Sequence, residues 1–162
     1  MLNFMPVAPA EVVAKAAEAA QLLLARARLE LVVEPVGELP LVHIDLNRVL
    51  RVFANLLDNA LKFTERAGRI VVRAEAAQGA VKFSVANSGP ALGADEMQQL
   101  FQPFWQAGRE DRRGAGLGLS ICRSIIEAHG VSIWAESAPG MRMNVCFLLP
   151  TVRPAVEAAV PG

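Results

Sequence analysis

Arg51-Val52-Phe53-Ala54-Asn55-Leu56-Leu57-Asp58-Asn59-Ala60-Leu61-Lys62-Phe63-Thr64 is the stretch around which the rest of the chain is organised. Read at helical period, Leu46, Val49, Phe53, Leu56, Leu57 and Ala60 fall on one side. Arg48, Arg51, Asn55, Asp58, Asn59 and Lys62 fall on the other. The pattern is an amphipathic helix with one face in a core. Its polar face is unusual, because Asn is a poor helix former whose amide competes for nearby backbone groups. Two of them nevertheless stand four residues apart, which stacks them on one face, and Lys62 follows three residues after Asn59. A neutral amide oxygen is a hard ligand that suits Mg²⁺, a cation that keeps several waters and takes other ligands from phosphates. An ammonium beside it would neutralise a phosphate. Taken alone, the same pattern fits a wet surface helix equally well.

The bulk numbers narrow the field. The 162 residues suit one domain with a substantial core, and a hydrophobic fraction of 53% argues against disorder. Sixteen basic and sixteen acidic residues cancel, so no positive excess draws nucleic acid or an anionic membrane. Cys122 and Cys146 lack metal-ligand spacing and read as buried small hydrophobes in a reducing compartment. No apolar run approaches the ~20 residues of a membrane span. The amino terminus lacks a basic region followed by a long apolar one. The chain reads as cytoplasmic, with no direct membrane contact.

Outward from the central helix, residues 1–9 are short and proline-marked and read as the end of a linker. An alanine-rich helix follows to about Leu29, its stripe formed by Val12, Ala16, Ala19, Leu23 and Ala27. Leu29 to Val36 is β-rich and stopped by Gly37, Leu41 to Ile44 is a second short strand, and Asp45 is an N-cap for the Asn-bearing helix. Arg69–Glu75 and Val81–Ala86 form a hairpin about Gln78-Gly79. Asn87–Gly93 is a loop, Ala94–Leu100 a short helix, and Gln102–Gly116 a long polar loop of the kind that covers ligands. Leu117–His129 is an amphipathic helix stopped by Gly130. Val131–Glu136 and Arg142–Leu149 are strands joined by a Pro139-Gly140 turn, and residues 151–162 are a frayed tail. Strand pairs with tight turns and one-striped helices give an α+β two-layer sandwich. Its mixed, mostly antiparallel sheet is covered on one face by about three helices, within a single domain of residues 10–150.

Three glycine-bearing places adjoin this sheet. Asn87-Ser88-Gly89-Pro90 directly follows a strand, where an amide offers an acceptor and donors to a base edge, although an ordinary turn reads the same way. Gly114-Ala115-Gly116-Leu117-Gly118-Leu119 opens a helix, where exposed N–H groups favour phosphate. It is neither a Walker A loop nor a dinucleotide fingerprint. Pro139-Gly140 reads as a turn alone. His43 and His129 lack a nucleophilic partner at suggestive spacing and read as structural. Phe101, Pro103, Phe104 and Trp105 read as a packed anchor. Arg109, Arg112 and Arg113 either reach a terminal phosphate or form a solvated run with Glu110 and Asp111.

In this order the pieces resemble the catalytic and ATP-binding domain of two-component sensor histidine kinases, within the Bergerat-fold ATPases that include gyrase and mismatch-repair ATPases. The resemblance covers about Val12 to Pro150. NLLDNALKFT resembles the N box, and Asn87 to Leu92 the first glycine box. Phe101-Gln102-Pro103-Phe104 resembles the F box, and Gly114 to Leu119 the second glycine box. Carried over by position, the resemblance implies that Asn59 binds Mg²⁺ with Asn55 assisting, that Lys62 meets phosphate and that Phe63 walls the adenine pocket. Asn87, Gly89 and Leu92 would lie at the base. Arg113, Gly114, Gly116, Leu117, Gly118 and Leu119 would lie about the phosphates. Gyrase-like relatives carry a glutamate at the position of Asn55, and an amide cannot accept a proton from water at neutral pH. Weak hydrolysis and γ-phosphoryl transfer from ATP to a protein histidine are therefore implied. So are a dimerisation and phospho-acceptor domain as partner and, indirectly, a response regulator.

The departures are specific. Asn87 stands where the family usually has an aspartate, Ala91 replaces a glycine, and Arg142 and Met143 stand where Gly-Thr is frequent. No histidine lies in an amino-terminal helical hairpin, so the acceptor would be on a segment or chain outside this one. The rival readings are a degenerate pseudo-kinase interaction module and an anti-sigma-type serine kinase.

Overall fold

The computed structural model describes residues 2–64, 68–99 and 115–152. In chain order these form β1 (Met5–Val7), α1 (Pro9–Arg26), β2 (Glu30–Val33), β3 (Val42–Ile44), α2 (Leu46–Phe63), β4 (Arg69–Ala77) and β5 (Ala80–Ser88). There follow α3 (Ala94–Gln99), α4 (Ala115–Ala128), β6 (Ile133–Ala138) and β7 (Met141–Pro150). The expected α+β sandwich is borne out. A five-stranded sheet runs β2-β4-β5-β7-β6, with β2 parallel to β4 and every other pairing antiparallel. A parallel pair needs a crossover connection, and here the crossover carries α2. That single topological step lays the Asn-bearing helix over the sheet.

Alternation along β5 and β7 supplies the floor. Val81, Phe83 and Val85 on β5 and Val145, Phe147 and Leu149 on β7 are all buried, as period-two patterning requires. Phe53 of α2 meets Phe83 edge-on at 5.9 Å and Phe147 at 5.2 Å, while Phe83 and Phe147 stack at 5.7 Å. Such aromatic pairs are worth roughly 0.5–1.5 kcal/mol each beyond their buried area. The expected core face of α2 is observed, with Val52 added to it and Leu46 only partly buried.

Local chemistry sets the ends of the elements. Asp45 is the N-cap expected of it, its Oδ1 accepting from Arg48 N at 3.1 Å. Its Oδ2 accepts from Asn3 N at 2.9 Å, so one carboxylate caps α2 and holds the entering chain. His129 accepts from Asp45 N through Nε2 at 3.2 Å, while Nδ1 lies 2.8 Å from Ile125 O. The ring therefore carries its proton on Nδ1, a structural role for a buried histidine. Phe4 stands edge-on to His129 at 5.2 Å. Gly130 follows with φ 78°, a left-handed stop that glycine adopts at no steric cost.

Several sequence expectations shift. Residues 5–7, within the expected linker end, pair antiparallel with β3 in a separate two-stranded sheet. The two short strands before α2 therefore belong to different sheets. On α1 the buried positions are Pro9, Val12, Val13, Ala16 and Leu24, whereas Leu23 is 55% exposed. The helix is rotated relative to the expected stripe. Asn87 lies inside β5, not in the loop after it. In the expected tail, Thr151 bridges to Val42 and Val152 N donates to Leu41 O at 2.8 Å, while residues 153–162 lie outside the described residues. Among the described residues no helix is long and apolar enough to cross a membrane.

Asp45 yields a test. The Asn3 N–H holds its carboxyl below the usual range, against an opposing push from burial. A lowered folded-state pKa contributes stability above the unfolded value of about 4, and that contribution is lost as pH falls through the folded value. Asp45→Ala is expected to cost about 1–2 kcal/mol in urea unfolding at pH 7. The gap from the parent should narrow below about pH 4. A gap independent of pH would contradict the assigned role.

Candidate functional site

The polar face of α2 divides more finely than the helical wheel implies. Asn59 is 3% exposed and Asn55 half-buried, whereas Lys62 is exposed. Asn59 thus belongs with the buried residues, an amide placed where an ordinary solvated face would not put one. Asn55 meets α4: its amide hydrogen-bonds the sulfur of Cys122, and Cys122 Sγ donates to Val52 O at 3.7 Å. Burial pushes the Cys122 thiol up to about 12, so it stays protonated and keeps its donor for the α2 backbone. The sequence suggested only a small buried hydrophobe there, and nothing in its spacing revealed the contact with Asn55.

Lys62 pairs with Asp58 at 3.2 Å, the two side chains 42% and 52% exposed. Exposed pairs of this kind are worth roughly 0–1 kcal/mol. Asp58 is therefore only a weak tether for the Lys62 ammonium. The backbone of Phe63 ends α2, but its side chain lies outside the described residues.

The first glycine loop is built with more constraint than a flexible turn. Asn87 pairs with Ile70 on one side and Met143 on the other, and the register of β5 with β7 shifts between Asn87 and Ser88. Gly89 follows at φ 140°, and a Cβ there would stand 3.2 Å from Cβ of Arg142. Both the backbone angle and the Arg142 stem demand glycine at this position. Leu92 N donates to Ser137 Oγ at 2.8 Å, and Ser137 Oγ–H donates to Arg142 O at 2.6 Å. Leu92 itself is half-buried against the core. Ser137 thus ties the loop to the β6–β7 turn, a role no sequence motif announced.

The second glycine run reaches α4 earlier than expected. The helix begins at Ala115, not Leu117, so Gly116, Leu117 and Gly118 lie in its opening turn. The first four N–H groups of an α-helix have no partner within it. Leu119 is buried at 3% exposure and packs in the core. Arg113 and Gly114, the F box, Arg109 and Arg112 lie outside the described residues.

Three buried polar atoms lack a hydrogen-bond partner among the described residues: Thr64 Oγ1, Asn87 Nδ2 and Asn144 Oδ1. Two of them sit at the ends of the segments singled out by sequence, Thr64 closing α2 and Asn87 opening the glycine loop. Leaving such groups unpaired costs about 1–3 kcal/mol each. Native chains rarely bear that cost without a reason. Among the described residues no group of three or more His, Cys, Asp or Glu could hold a metal ion. A metal at this site would depend on phosphate and amide oxygens.

Known proteins give this arrangement a context. Residues 44–153 match the family described as "Histidine kinase-, DNA gyrase B-, and HSP90-like ATPase". The alginate biosynthesis sensor protein KinB of Pseudomonas aeruginosa is 37% identical over 123 residues, 76% of this chain and 20% of that protein. The chain thus spans only a fifth of KinB. The catalytic domain of histidine kinase ThkA superposes with a TM-score of 0.80 at 28% identity, covering 93% of this chain and 97% of that one. Full-length ShkA in complex with AMPPNP gives 0.81 at 29% identity, over 95% of this chain and 33% of that one.

Ser137→Ala removes the pin between the two turns. Hydrogen exchange at Leu92 N–H is expected to quicken about tenfold, the loss of roughly one hydrogen bond. Unchanged exchange there would show that the loop is held by other means.

Proposed function

This chain belongs to the histidine kinase-, DNA gyrase B- and HSP90-like ATPase family, and we propose that it is the ATP-binding catalytic domain of a sensor histidine kinase. In this reading it delivers the γ-phosphoryl of ATP to a histidine on a dimerisation domain outside the chain. The phosphorus–oxygen bond to the β-phosphate breaks, a phosphorus–nitrogen bond forms, ADP leaves, and the imidazole gives up its proton. The observation that carries the reading is the placement of Asn59. It is an amide buried on the helix that packs against the five-stranded sheet, with Asn55 one turn before it held against α4.

Each residue has a part that its surroundings support. Asn59 offers a neutral oxygen to a hard cation, and Asn55 is oriented by Cys122 to assist it. Bound Mg²⁺ would supply charge neutralisation across the phosphate oxygens. Lys62, weakly tethered to Asp58, turns to a phosphate. The opening N–H groups of α4 at Gly116, Leu117 and Gly118 favour the same anion. Asn55, an amide, cannot deprotonate water, so the bound nucleotide is spared hydrolysis while it waits for an acceptor. The nucleotide contacts proposed for Phe63, Arg113 and Gly114 fall on groups outside the described residues.

ThkA has been seen in complex with the response regulator protein TrrA. A response regulator is accordingly the partner proposed downstream of the phosphorylated histidine, and the cytoplasm the proposed compartment. A degenerate pseudo-kinase interaction module with weak or no nucleotide binding is the reading favoured by Arg142, whose stem lies against Gly89.

Radiolabelled Mg²⁺·ATP, offered with a histidine-bearing helical hairpin or a serine-bearing partner, separates these. An acid-labile label on the hairpin alone is expected. Label on serine, or on neither while nucleotide binds, would overturn kinase action on histidine. Asn59→Ala is expected to weaken Mg²⁺·ATP binding at least about tenfold in a chain whose circular dichroism shows the fold retained.

A further inference from the structure

Asn87 carries an unmet donor where the glycine loop leaves the sheet. Its side chain is 3% exposed, and Nδ2 has no partner among the described residues. Its neighbours on the flanking strands are Ile70, which offers no acceptor, and Met143, whose thioether is at most a weak one. Both are buried, Ile70 at 0% and Met143 at 6% exposure. The paired positions on both flanking strands thus bring no strong acceptor to Asn87, and its buried Nδ2 is left to meet an atom that the described residues do not supply.

Resting on the nucleotide-binding reading above, we propose that Asn87 makes the site accept 6-oxopurine nucleotides as readily as 6-aminopurine ones. The edge of adenine presents an amino donor beside the N1 acceptor. The edge of guanine or hypoxanthine presents the O6 acceptor beside an N1–H donor. A carboxamide holds one acceptor and one donor group side by side and meets either edge after a half-turn of its terminal group. A carboxylate is acceptor-only. Placed here it takes a hydrogen from the adenine amino group but opposes O6 with like charge, and leaving buried polar groups mispaired is what gives sites strong discrimination. Met143 reinforces the tolerance, because its side chain offers no hydroxyl to fix the amide in one orientation.

Titration calorimetry of the whole chain with Mg²⁺·ATP, Mg²⁺·GTP and Mg²⁺·ITP tests this directly. ITP lacks the 2-amino group of guanine and isolates the edge at position 6. The three affinities are expected to agree within about tenfold. Asn87→Asp is expected to widen the preference for ATP over ITP by at least about thirtyfold. Should that variant fail to fold, the ratio in the parent chain decides alone. Binding of ATP with GTP and ITP weaker by more than about 100-fold would overturn the proposal while leaving the nucleotide site intact. Absence of binding by all three would overturn both.

Discussion

The contact of Phe53 with Phe83 and Phe147 fixes where α2 lies on the sheet, and the site's geometry follows from it. Removing the Phe53 ring would cost about 3–5 kcal/mol in a core of this kind. The larger consequence would be positional, because Asn55, Asn59 and Lys62 are carried on the same rigid cylinder. With 1.5 Å of rise and about 100° of turn per residue, a helix anchored at Phe53 fixes its next two turns. A polar grip can be precise here because an apolar wedge holds it still.

Around that wedge, single hydrogen bonds join elements that are distant in sequence. Cys122 joins α4 to α2 beside Asn55, and His129 joins the end of α4 to the cap of α2 at Asp45. Ser137 joins the β6–β7 turn to the glycine loop. None is strong alone, each being worth about 1 kcal/mol net. Together they surround the polar groups of α2 and β5 with fixed backbone. The unpaired atoms Thr64 Oγ1 and Asn87 Nδ2 persist in this rigid setting, where relaxation cannot easily remove them.

Much of this was legible beforehand, for identifiable reasons. The α2 face was readable because a 3.6-residue period over eighteen positions is a strong signal. The hairpins were readable because Gln78-Gly79 and Pro139-Gly140 carry turn chemistry, with Gly79 at φ 68° and Gly140 at φ 83°. Alanine defeated the reading of α1, since a helix of alanines gives little contrast between faces and tertiary packing chose the rotation. The strand at Met5–Val7 was hidden because three residues carry too little alternation to be seen. Asn87 reads as loop from the sequence because its polarity resembles turn chemistry, whereas the ladder to Met143 keeps it in the sheet. Cys122 and Ser137 could not be found by spacing, because their importance lies in what crosses to them. Asn59 was seen as significant, but its burial was not, since a wheel places it at the margin of the apolar face.

The central claim is that the amides of α2 meet a metal carried by a nucleotide. Substituting Mn²⁺ for Mg²⁺ and observing side-chain amide signals by nuclear magnetic resonance tests it at the atoms concerned. With nucleotide present, the paramagnetic ion should broaden the NH₂ signals of Asn59 and Asn55 strongly and that of Asn3, beside the N-cap of α2, much less. Uniform broadening, or sharp signals from Asn59 in a chain that has bound nucleotide, would contradict the account.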